Sequence, residues 1–272
     1  MSPIPKWKEP DLRLEGVRYQ NEGFAFGPRV LSPELIRRVN DGMDAVRAGE
    51  YETGRAPLDP FWGDDKDPEI HLRKINQAHF ANRAIYEALS SAELGRAVAA
   101  LTGAKMVQVW ATQLLHKPGG PAAVGQVGWH QDYQYWQTWF TPDSEIFTAW
   151  LALSDIEEDS GPMCFVPGSH QWGLIPEGDF HGAADARAQA KILPPGQTWQ
   201  EVSALMPAGA FSLHHRLTVH GSHPNRLTTA RRSFAIHLRT ENSTPTPEKV
   251  DYYHNYVSFL DDLQDCPVIY QA

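Results

Sequence analysis

Short β-strand patterns separated by turn residues begin near residue 106, and this change of texture limits the possible fold more than any other feature. Val, Trp, Thr and Leu fill Met106 to Lys117, which ends at Pro118-Gly119-Gly120 and is typical of a strand followed by a turn. Short strands with turn signals between them favour a β-barrel or a double-sheet jelly roll. Further strands are predicted at short intervals, at 129–133, 146–153, 163–166, 210–213, 218–220 and 232–238.

The part of the chain before residue 106 favours helices instead. Ser32-Pro33-Glu34 supplies an N-cap, a proline at the first helical position and an early acid, and it predicts a helix from about Pro33 to Ala48. A second apolar stripe predicts helical structure from Ala84 to Thr102, in one or two pieces. Residues 1–30 look loop-rich, with one short strand near Gly23 to Phe26.

These patterns predict one domain of 272 residues, because no Pro/Ser/Gly-rich or charge-run linker divides the chain. Helices in about 1–105 would buttress a β-barrel of about 106–240, followed by a tail of 241–272. The expected fold class is therefore mainly β, with buttressing N-terminal helices.

The composition of the chain limits the kinds of molecule that it is expected to bind. The net charge is −9 and no Lys/Arg cluster is present, which argues against binding to nucleic acid or an anionic membrane and favours a small-molecule substrate. The chain begins without a basic region and apolar run, and it has no long apolar stretch, so we expect a cytoplasmic protein. Cys164 and Cys266 are too few for a disulfide framework or a thiolate metal site. Nothing in the sequence indicates the oligomeric state.

The segment Gly128-Trp129-His130-Gln131-Asp132 carries the chemistry. On a β-strand, residues two apart project from the same face, so His130 and Asp132 would present an imidazole and a carboxylate side by side. His220 would complete a facial triad of two histidines and one carboxylate, which leaves open positions on Fe(II). A His-x-Asp pair alone is weak evidence, because a chain with twelve histidines can contain one by chance.

The surrounding sequence strengthens this interpretation. Three features follow the His-x-Asp pair in order along the chain: an acidic turn at 155–159, the segment Ser160 to His170, and an arginine eleven residues past His220. This set, from about Gln113 to Leu238, resembles the phytanoyl-CoA dioxygenase family of Fe(II)- and 2-oxoglutarate-dependent oxygenases. The resemblance implies a double-stranded β-helix, also called a jelly roll or cupin-like fold.

The resemblance also implies the chemistry. His130, Asp132 and His220 would hold Fe(II) at the mouth of the barrel, with 2-oxoglutarate as co-substrate and O₂ as oxidant. Oxidation of an unactivated C–H bond, above all hydroxylation, would release succinate and CO₂. Asp132 argues against halogenation, because related halogenases lack this carboxylate, and it leaves desaturation and ring chemistry as alternatives.

Arg231 occupies the position at which the family's arginine binds the far carboxylate of 2-oxoglutarate, and a guanidinium fork suits that group. Arg232 is the rival, since strand alternation lets only one of the two face inward. Arg231 is favoured, because the residues that share its face are small or polar. The resemblance places four further residues around the co-substrate: Ser222, Gln131, Trp150 and Gln113. Lys74 matches another family position, with looser spacing.

Aromatic residues crowd the segment after the His-x-Asp pair. Packing in the barrel accounts for part of 133–140, and we predict substrate contacts for Tyr135, Trp136 and Trp139. Two segments could cover the site: the loop 50–70, with Phe61 and Trp62, and the tail, with Tyr252, Tyr253 and Tyr256.

His214 and His215 lie close to His220 in the sequence. Strand parity predicts that His215 faces away from the metal, and a structural hydrogen-bonding role is expected for both.

Two other functions fit the same ligands. A non-catalytic metal-binding β-barrel, acting as a binding protein or sensor, would hold the metal without turnover. A zinc hydrolase also uses two histidines and a carboxylate, but no Glu or His stands convincingly as its general base, and Arg231 would have no function there. A CoA thioester substrate is not favoured, because no basic patch for the nucleotide is evident. The identity of the substrate stays open.

Overall fold

Two antiparallel sheets face each other in the computed structural model, which describes residues 7–58, 71–246 and 256–272. The large sheet has the order β1-β8-β5-β10-β3-β11, with β2 also paired to β3, and the small sheet has the order β4-β9-β6-β7. This arrangement is the predicted double-stranded β-helix, so the expected fold class is confirmed. The strands are β1 (Phe24–Gly27), β2 (Arg73–Asn76), β3 (Met106–Lys117), β4 (Val127–His130), β5 (Ile146–Ala152), β6 (Met163–Phe165), β7 (Val202–Ser203), β8 (Phe211–His215), β9 (His220–Ser222), β10 (Arg231–Thr240) and β11 (Val268–Gln271).

Strand β10 divides the interior, because its side chains alternate between two hydrophobic clusters. Phe234 and Ile236 face the cluster between the large sheet and the N-terminal helices. Ala235 faces the cluster between the two sheets. Alternation on a strand of period two therefore puts Arg231, four residues before Ala235, on the face that looks into the barrel.

Helices buttress the outer face of the large sheet, as the sequence predicts. Ser32 caps the second helix by accepting a hydrogen bond from the Leu35 amide at 3.1 Å. The predicted helical stretch from Ala84 to Thr102 forms two helices, because Ser91 starts a new one by capping the Leu94 amide at 3.3 Å. The helices are α1 (Leu12–Glu22), α2 (Pro33–Arg47), α3 (Arg83–Leu89), α4 (Ala92–Thr102), α5 (Tyr133–Trp136) and α6 (Ala186–Ile192).

Helix α1 corrects the expectation of a loop-rich segment at residues 1–30. The helix buries only Tyr19 fully, so its sequence lacks the apolar stripe that reveals an amphipathic helix. Its ends carry ordinary signals: the Asp11 side chain accepts from the Arg13 amide, and Gly23 ends the helix at a φ of +84°. Packing against α4, rather than a hydrophobic pattern, holds this helix.

Several strand boundaries differ from the predicted ones. The strand expected at 129–133 ends at His130 and continues into the helical turn α5. The strands expected at 210–213 and 218–220 run from Phe211 to His215 and from His220 to Ser222. Strands β2, β7 and β11 have four residues or fewer and were not predicted, because each depends on a pairing partner distant in the sequence. Among the described residues, no helix is both long and apolar enough to span a membrane.

Candidate active site

His130 and His220 are direct partners in the antiparallel pair of β4 and β9. Their ring centroids lie 4.2 Å apart, and both side chains are buried. Residues opposite each other in such a pair put their side chains on the same face of the sheet. Strand register, rather than proximity in sequence, therefore brings the two imidazoles together.

Asp132 joins them by a different route from the one predicted. Because β4 ends at His130, Asp132 has helical backbone angles, φ −56° and ψ −37°, at the start of α5. Its Oδ1 lies 3.7 Å from His130 Nε2 and 3.6 Å from His220 Nε2. The expected His-Asp-His cluster is present, although a turn and not the alternation of a strand delivers the carboxylate.

The donor set fits a divalent iron ion. One ligand atom from each of the three residues lies within 4.8 Å of the others. Nδ1 of His130 donates to the Gly128 carbonyl at 2.8 Å, and Nδ1 of His220 donates to the Thr218 carbonyl at 2.9 Å. Since a carbonyl can only accept, each proton sits on Nδ1 and each Nε2 presents a lone pair to a metal.

The second carboxylate oxygen of Asp132 is held from outside the triad. Oδ2 accepts hydrogen bonds from the Thr148 hydroxyl at 2.8 Å and from His214 Nε2 at 3.2 Å. His237 Nδ1 in turn donates to Thr148 Oγ1 at 2.9 Å. These contacts leave Oδ1 directed at the two histidines, which is how outer residues orient a metal ligand.

His214 has the expected hydrogen-bonding role, and His215 faces away from the triad as predicted and packs against His170 with ring centroids 5.7 Å apart, although the parity of a single strand is not the reason. The chain turns between β8 and β9, so the alternation of one strand does not continue from His214 to His220. His215 accepts a hydrogen bond from the Leu217 amide at 3.1 Å. Thr148 and His237 were not singled out, because only strand pairing places them behind Asp132.

Burial and charge shape the protonation of the triad. Burial alone would raise the pKa of Asp132, but its interactions with His220, His130 and His214 hold the pKa well below its usual range. Burial, followed by the charges of His130 and His214, lowers the pKa of His220 well below normal. An ionised Asp132 beside a neutral His220 is the protonation state that suits metal binding.

A cavity beside the triad, called here the inner cavity, contains most of the residues predicted to bind the co-substrate. The Arg231 guanidinium lies 5.0 Å from the centroid of the Trp150 ring and donates to the Gly161 carbonyl at 3.2 Å. Arg231 Nε and Trp150 Nε1 are buried donors that have no hydrogen-bond partner in the described structure. Buried donors without acceptors fit an anionic ligand. The predicted residues that line the cavity are Gln113, Trp150, Ser222 and Arg231.

Arg232 and Gln131 do not face the inner cavity. Arg232 points the other way and forms an ion pair with Asp44 on α2, at 2.8 Å. The Gln131 amide group donates to the carbonyls of Gly173 and Leu217 and accepts from the Ile175 amide, so it ties loops together. The prediction that Gln131 lines the co-substrate pocket is therefore corrected. Although Gln131 lies between two triad residues in the sequence, their side chains point toward the metal site and its own points away from the inner cavity.

Lys117 is a residue of this region that the sequence did not reveal. Its side chain is wholly buried, and Nζ donates to Ser222 Oγ at 2.6 Å and to the His223 carbonyl at 2.7 Å. A lysine at the end of a strand is usually exposed, which is why the sequence offers no warning.

A larger cavity of about 500 Å³, called here the aromatic cavity, opens on the other side of His130 and Asp132. It is lined by Tyr135, Trp136 and Trp139, the three residues predicted to contact substrate. The Lys74 ammonium group lies 4.6 Å from the Phe180 ring centroid on this wall, away from the inner cavity. Trp110, Phe180 and Tyr256 also line it, from β3, a loop and the C-terminal segment.

Of the residues predicted to cover the site, Tyr256 lies within the described part of the chain. It lines the aromatic cavity and packs against Trp139, with ring centroids 5.1 Å apart. Phe61, Trp62, Tyr252 and Tyr253, also predicted as covers, lie outside the described residues.

Comparison with known proteins agrees with this geometry. The family profile described as phytanoyl-CoA dioxygenase (PhyH) matches residues 19–233. The chain is 25% identical over 266 residues to the ectoine dioxygenase of Halomonas elongata, a match that covers 90% of this chain and 76% of that protein. It is 26% identical over 201 residues to phytanoyl-CoA dioxygenase domain-containing protein 1 of Bos taurus, covering 66% of this chain and 65% of that protein.

Solved structures share the fold. The epimerase SnoN in complex with Fe3+, alpha ketoglutarate and nogalamycin RO aligns with a TM-score of 0.68 at 22% identity, over 93% of this chain and 90% of that chain. The family match extends over most of the sequence, and it includes the triad and the predicted co-substrate residues of the inner cavity. The chain therefore belongs to the phytanoyl-CoA dioxygenase family of Fe(II)- and 2-oxoglutarate-dependent oxygenases.

Proposed function

We propose that this protein hydroxylates an unactivated C–H bond of a small, ring-bearing and largely apolar molecule, with release of succinate and CO₂. The observation that carries the proposal is the position of His130 and Asp132, which line the inner cavity and the aromatic cavity alike. A keto acid in the first cavity and a substrate in the second would meet at the triad.

Each group of residues has a role in this proposal. His130, Asp132 and His220 would hold Fe(II), which supplies, when bound, the activation of O₂ that is coupled to decarboxylation of the keto acid. Arg231 and Ser222 would bind the far carboxylate of 2-oxoglutarate, while Trp150 and Gln113 would close the walls around it. Burial of Arg231, Ser222 and Trp150 excludes water, which strengthens their electrostatic contacts with the co-substrate.

The aromatic cavity supports the choice of substrate class. Six of its lining residues are aromatic, from Trp110 and Phe180 to the predicted contacts Tyr135, Trp136 and Trp139 and the tail residue Tyr256. Indole and phenol faces favour flat or ring-bearing apolar ligands, and a few polar groups such as Thr138 and Gln134 would orient them. The Halomonas relative also takes, by its name, a small molecule.

We further propose that the whole chain works as one domain in the cytoplasm. Helices α1 to α4 share a hydrophobic cluster with the large sheet, and β11 pairs with β3 of the barrel. Cys164 and Cys266 are buried free thiols, which suits a reducing compartment.

Anaerobic titration with Fe(II) and 2-oxoglutarate tests the function. The wild type should give the visible metal-to-ligand charge-transfer band of the chelate, and Asp132→Ala should abolish it while the exposed control Asp143→Ala retains it. Absence of the band in wild type at saturating reagents would refute the proposal.

Succinate formation separates the enzyme from a binding protein or sensor. With O₂ admitted, a panel of ring-bearing metabolites should include some that raise succinate production above the substrate-free rate. A protein that gives the band but forms no succinate with any of them, or alone, would be the non-catalytic alternative.

A further inference from the structure

Lys117 places an amine inside the barrel, where the groups that accept its hydrogen bonds are all uncharged. The side chain is 0% exposed at the end of β3. Its Nζ donates to Ser222 Oγ at 2.6 Å, to the His223 carbonyl at 2.7 Å and to the Gly161 carbonyl at 3.4 Å. The three protons of an ammonium group thus meet three uncharged acceptors.

A second buried cation stands opposite. Arg231 is the register partner of Lys117 in the pair of β10 and β3, it is 3% exposed, and it donates to the same Gly161 carbonyl. No carboxylate of the described residues forms an ion pair with either side chain, and burial raises the pKa of the nearby Cys164 thiol to about 11, so the thiol stays neutral. Burial, followed by the charge of Arg231, lowers the pKa of Lys117 well below its usual range, so its ammonium form needs an anion nearby.

Two buried like charges without a counter-charge are unfavourable by themselves. Removing an ion from water without a partner is strongly unfavourable, which is why buried charges are almost always paired. The pair therefore points to an anion that enters this region and compensates both cations.

Hydrogen-bond polarity makes the role of Lys117 specific. An ammonium group can only donate, so Ser222 Oγ is an acceptor in its contact with Nζ. The proton of the Ser222 hydroxyl is then free to be donated to a different acceptor. Ser222 lines the inner cavity, whereas Lys117 lies behind it and does not.

This inference rests on the proposed function. We propose that Lys117 is a positioning residue for the co-substrate: it turns the Ser222 hydroxyl into a donor toward the far carboxylate of 2-oxoglutarate and adds a second positive charge behind it. Arg231 contacts that carboxylate directly, and Lys117 acts on it through Ser222.

Calorimetric binding to the Fe(II)-loaded protein without O₂ tests this role with two ligands. The second ligand, 2-oxovalerate, has a methyl group in place of the far carboxylate. Lys117→Met should weaken 2-oxoglutarate binding by about tenfold to a hundredfold, the loss of a charge-assisted hydrogen bond. Binding of 2-oxovalerate should change by no more than about twofold, since it has no charge for Lys117 to compensate.

Other variants control for fold and for the route of action. Lys105→Met removes an exposed lysine just before the same strand and should leave both affinities unchanged. In a Ser222→Ala background the effect of Lys117→Met should shrink, because the two side chains act as one unit. If Lys117→Met does not fold, Lys117→Gln is measured in its place with the same expectation.

The outcomes are distinct. Equal weakening of both ligands would mean a merely structural lysine and would overturn the proposal, as would unchanged binding of 2-oxoglutarate. An undiminished effect in the Ser222→Ala background would overturn the action through Ser222. A wild-type protein that binds no 2-oxoglutarate would instead overturn the proposed function itself.

Discussion

The Thr148 hydroxyl donates to Oδ2 of Asp132 at 2.8 Å and so leaves Oδ1 facing the two histidines. Residues 16 apart in sequence thereby fix the direction of the third ligand. His237 stands behind Thr148, and because the threonine's single proton goes to Asp132, its oxygen accepts from His237. The geometry of the triad thus depends on a chain of hydrogen bonds that reaches across two strands of the large sheet.

Thr148→Val keeps the shape of this side chain and removes its hydroxyl. We expect Fe(II) affinity to fall by about tenfold to a hundredfold, because outer hydrogen bonds hold metal ligands in place. Anaerobic calorimetry with Fe(II) measures the change. Thr240→Val is the matched control, since Thr240 is also buried and also donates to a carboxylate, that of Glu145. An equal loss in both variants would contradict a specific role for Thr148.

Arg231→Met tests the anchor of the co-substrate. Removing the only guanidinium that faces the inner cavity from the described residues should raise the KM for 2-oxoglutarate by roughly a hundredfold, the size of a charged hydrogen-bond pair. Its neighbour provides the control: Arg232→Met breaks an ion pair with half-exposed Asp44 and should change stability by only about 0–1 kcal/mol. A normal KM in Arg231→Met would show that another group binds the far carboxylate.

Trp139→Phe makes one side chain of the aromatic cavity's wall smaller and so widens the cavity, while an aromatic ring remains at this position. The KM for the substrate found by screening should rise roughly tenfold, while substrate-free succinate formation stays the same. Trp172→Phe alters a tryptophan of the cluster on the far face of the small sheet and should leave both quantities unchanged. Loss of substrate-free turnover in Trp139→Phe would point to a disturbed metal site instead of a substrate contact.

Stability should fall in mild acid because of a buried histidine away from the triad. His79 donates to the Asp265 carbonyl and contacts Thr112, and burial lowers its pKa to about 4, below its value of about 6.5 in an unfolded chain. Between these pH values the unfolded state binds the proton and the folded state does not, so unfolding becomes easier as pH drops. The contribution is complete above about pH 6.5 and is lost as pH falls toward about 4.

His79→Gln isolates this contribution. The free energy of unfolding is measured with urea at about pH 7.5 and about pH 5. Its decrease between these pH values should be about 2 kcal/mol larger in wild type than in His79→Gln. His116 and His215, whose pKa values burial lowers to about 4 and about 3, are present in both proteins and cancel in the comparison. Equal pH dependence in the two proteins would contradict a neutral buried His79.

The sequence by itself determined the fold class, the course of β3 and the identity of the cluster His130, Asp132 and His220. Alternation and turn residues predict the strands, and the ordered motifs that resemble the family, together with ligand chemistry, predict the cluster. It also separated Arg231 from Arg232, because alternation along one strand needs no knowledge of the partner strands.

Only the tertiary structure decided what stands behind these residues. Lys117 touches Ser222 across 105 positions of the chain, and Gln131 turns away from the cavity to bind loops at Gly173 and Leu217. Helix α1 is likewise held by α4 and not by its own pattern. The physical reason is the same in each case: a hydrogen bond or a burial exists only when two distant segments pack together, and the pairing register between strands sets which side chains meet.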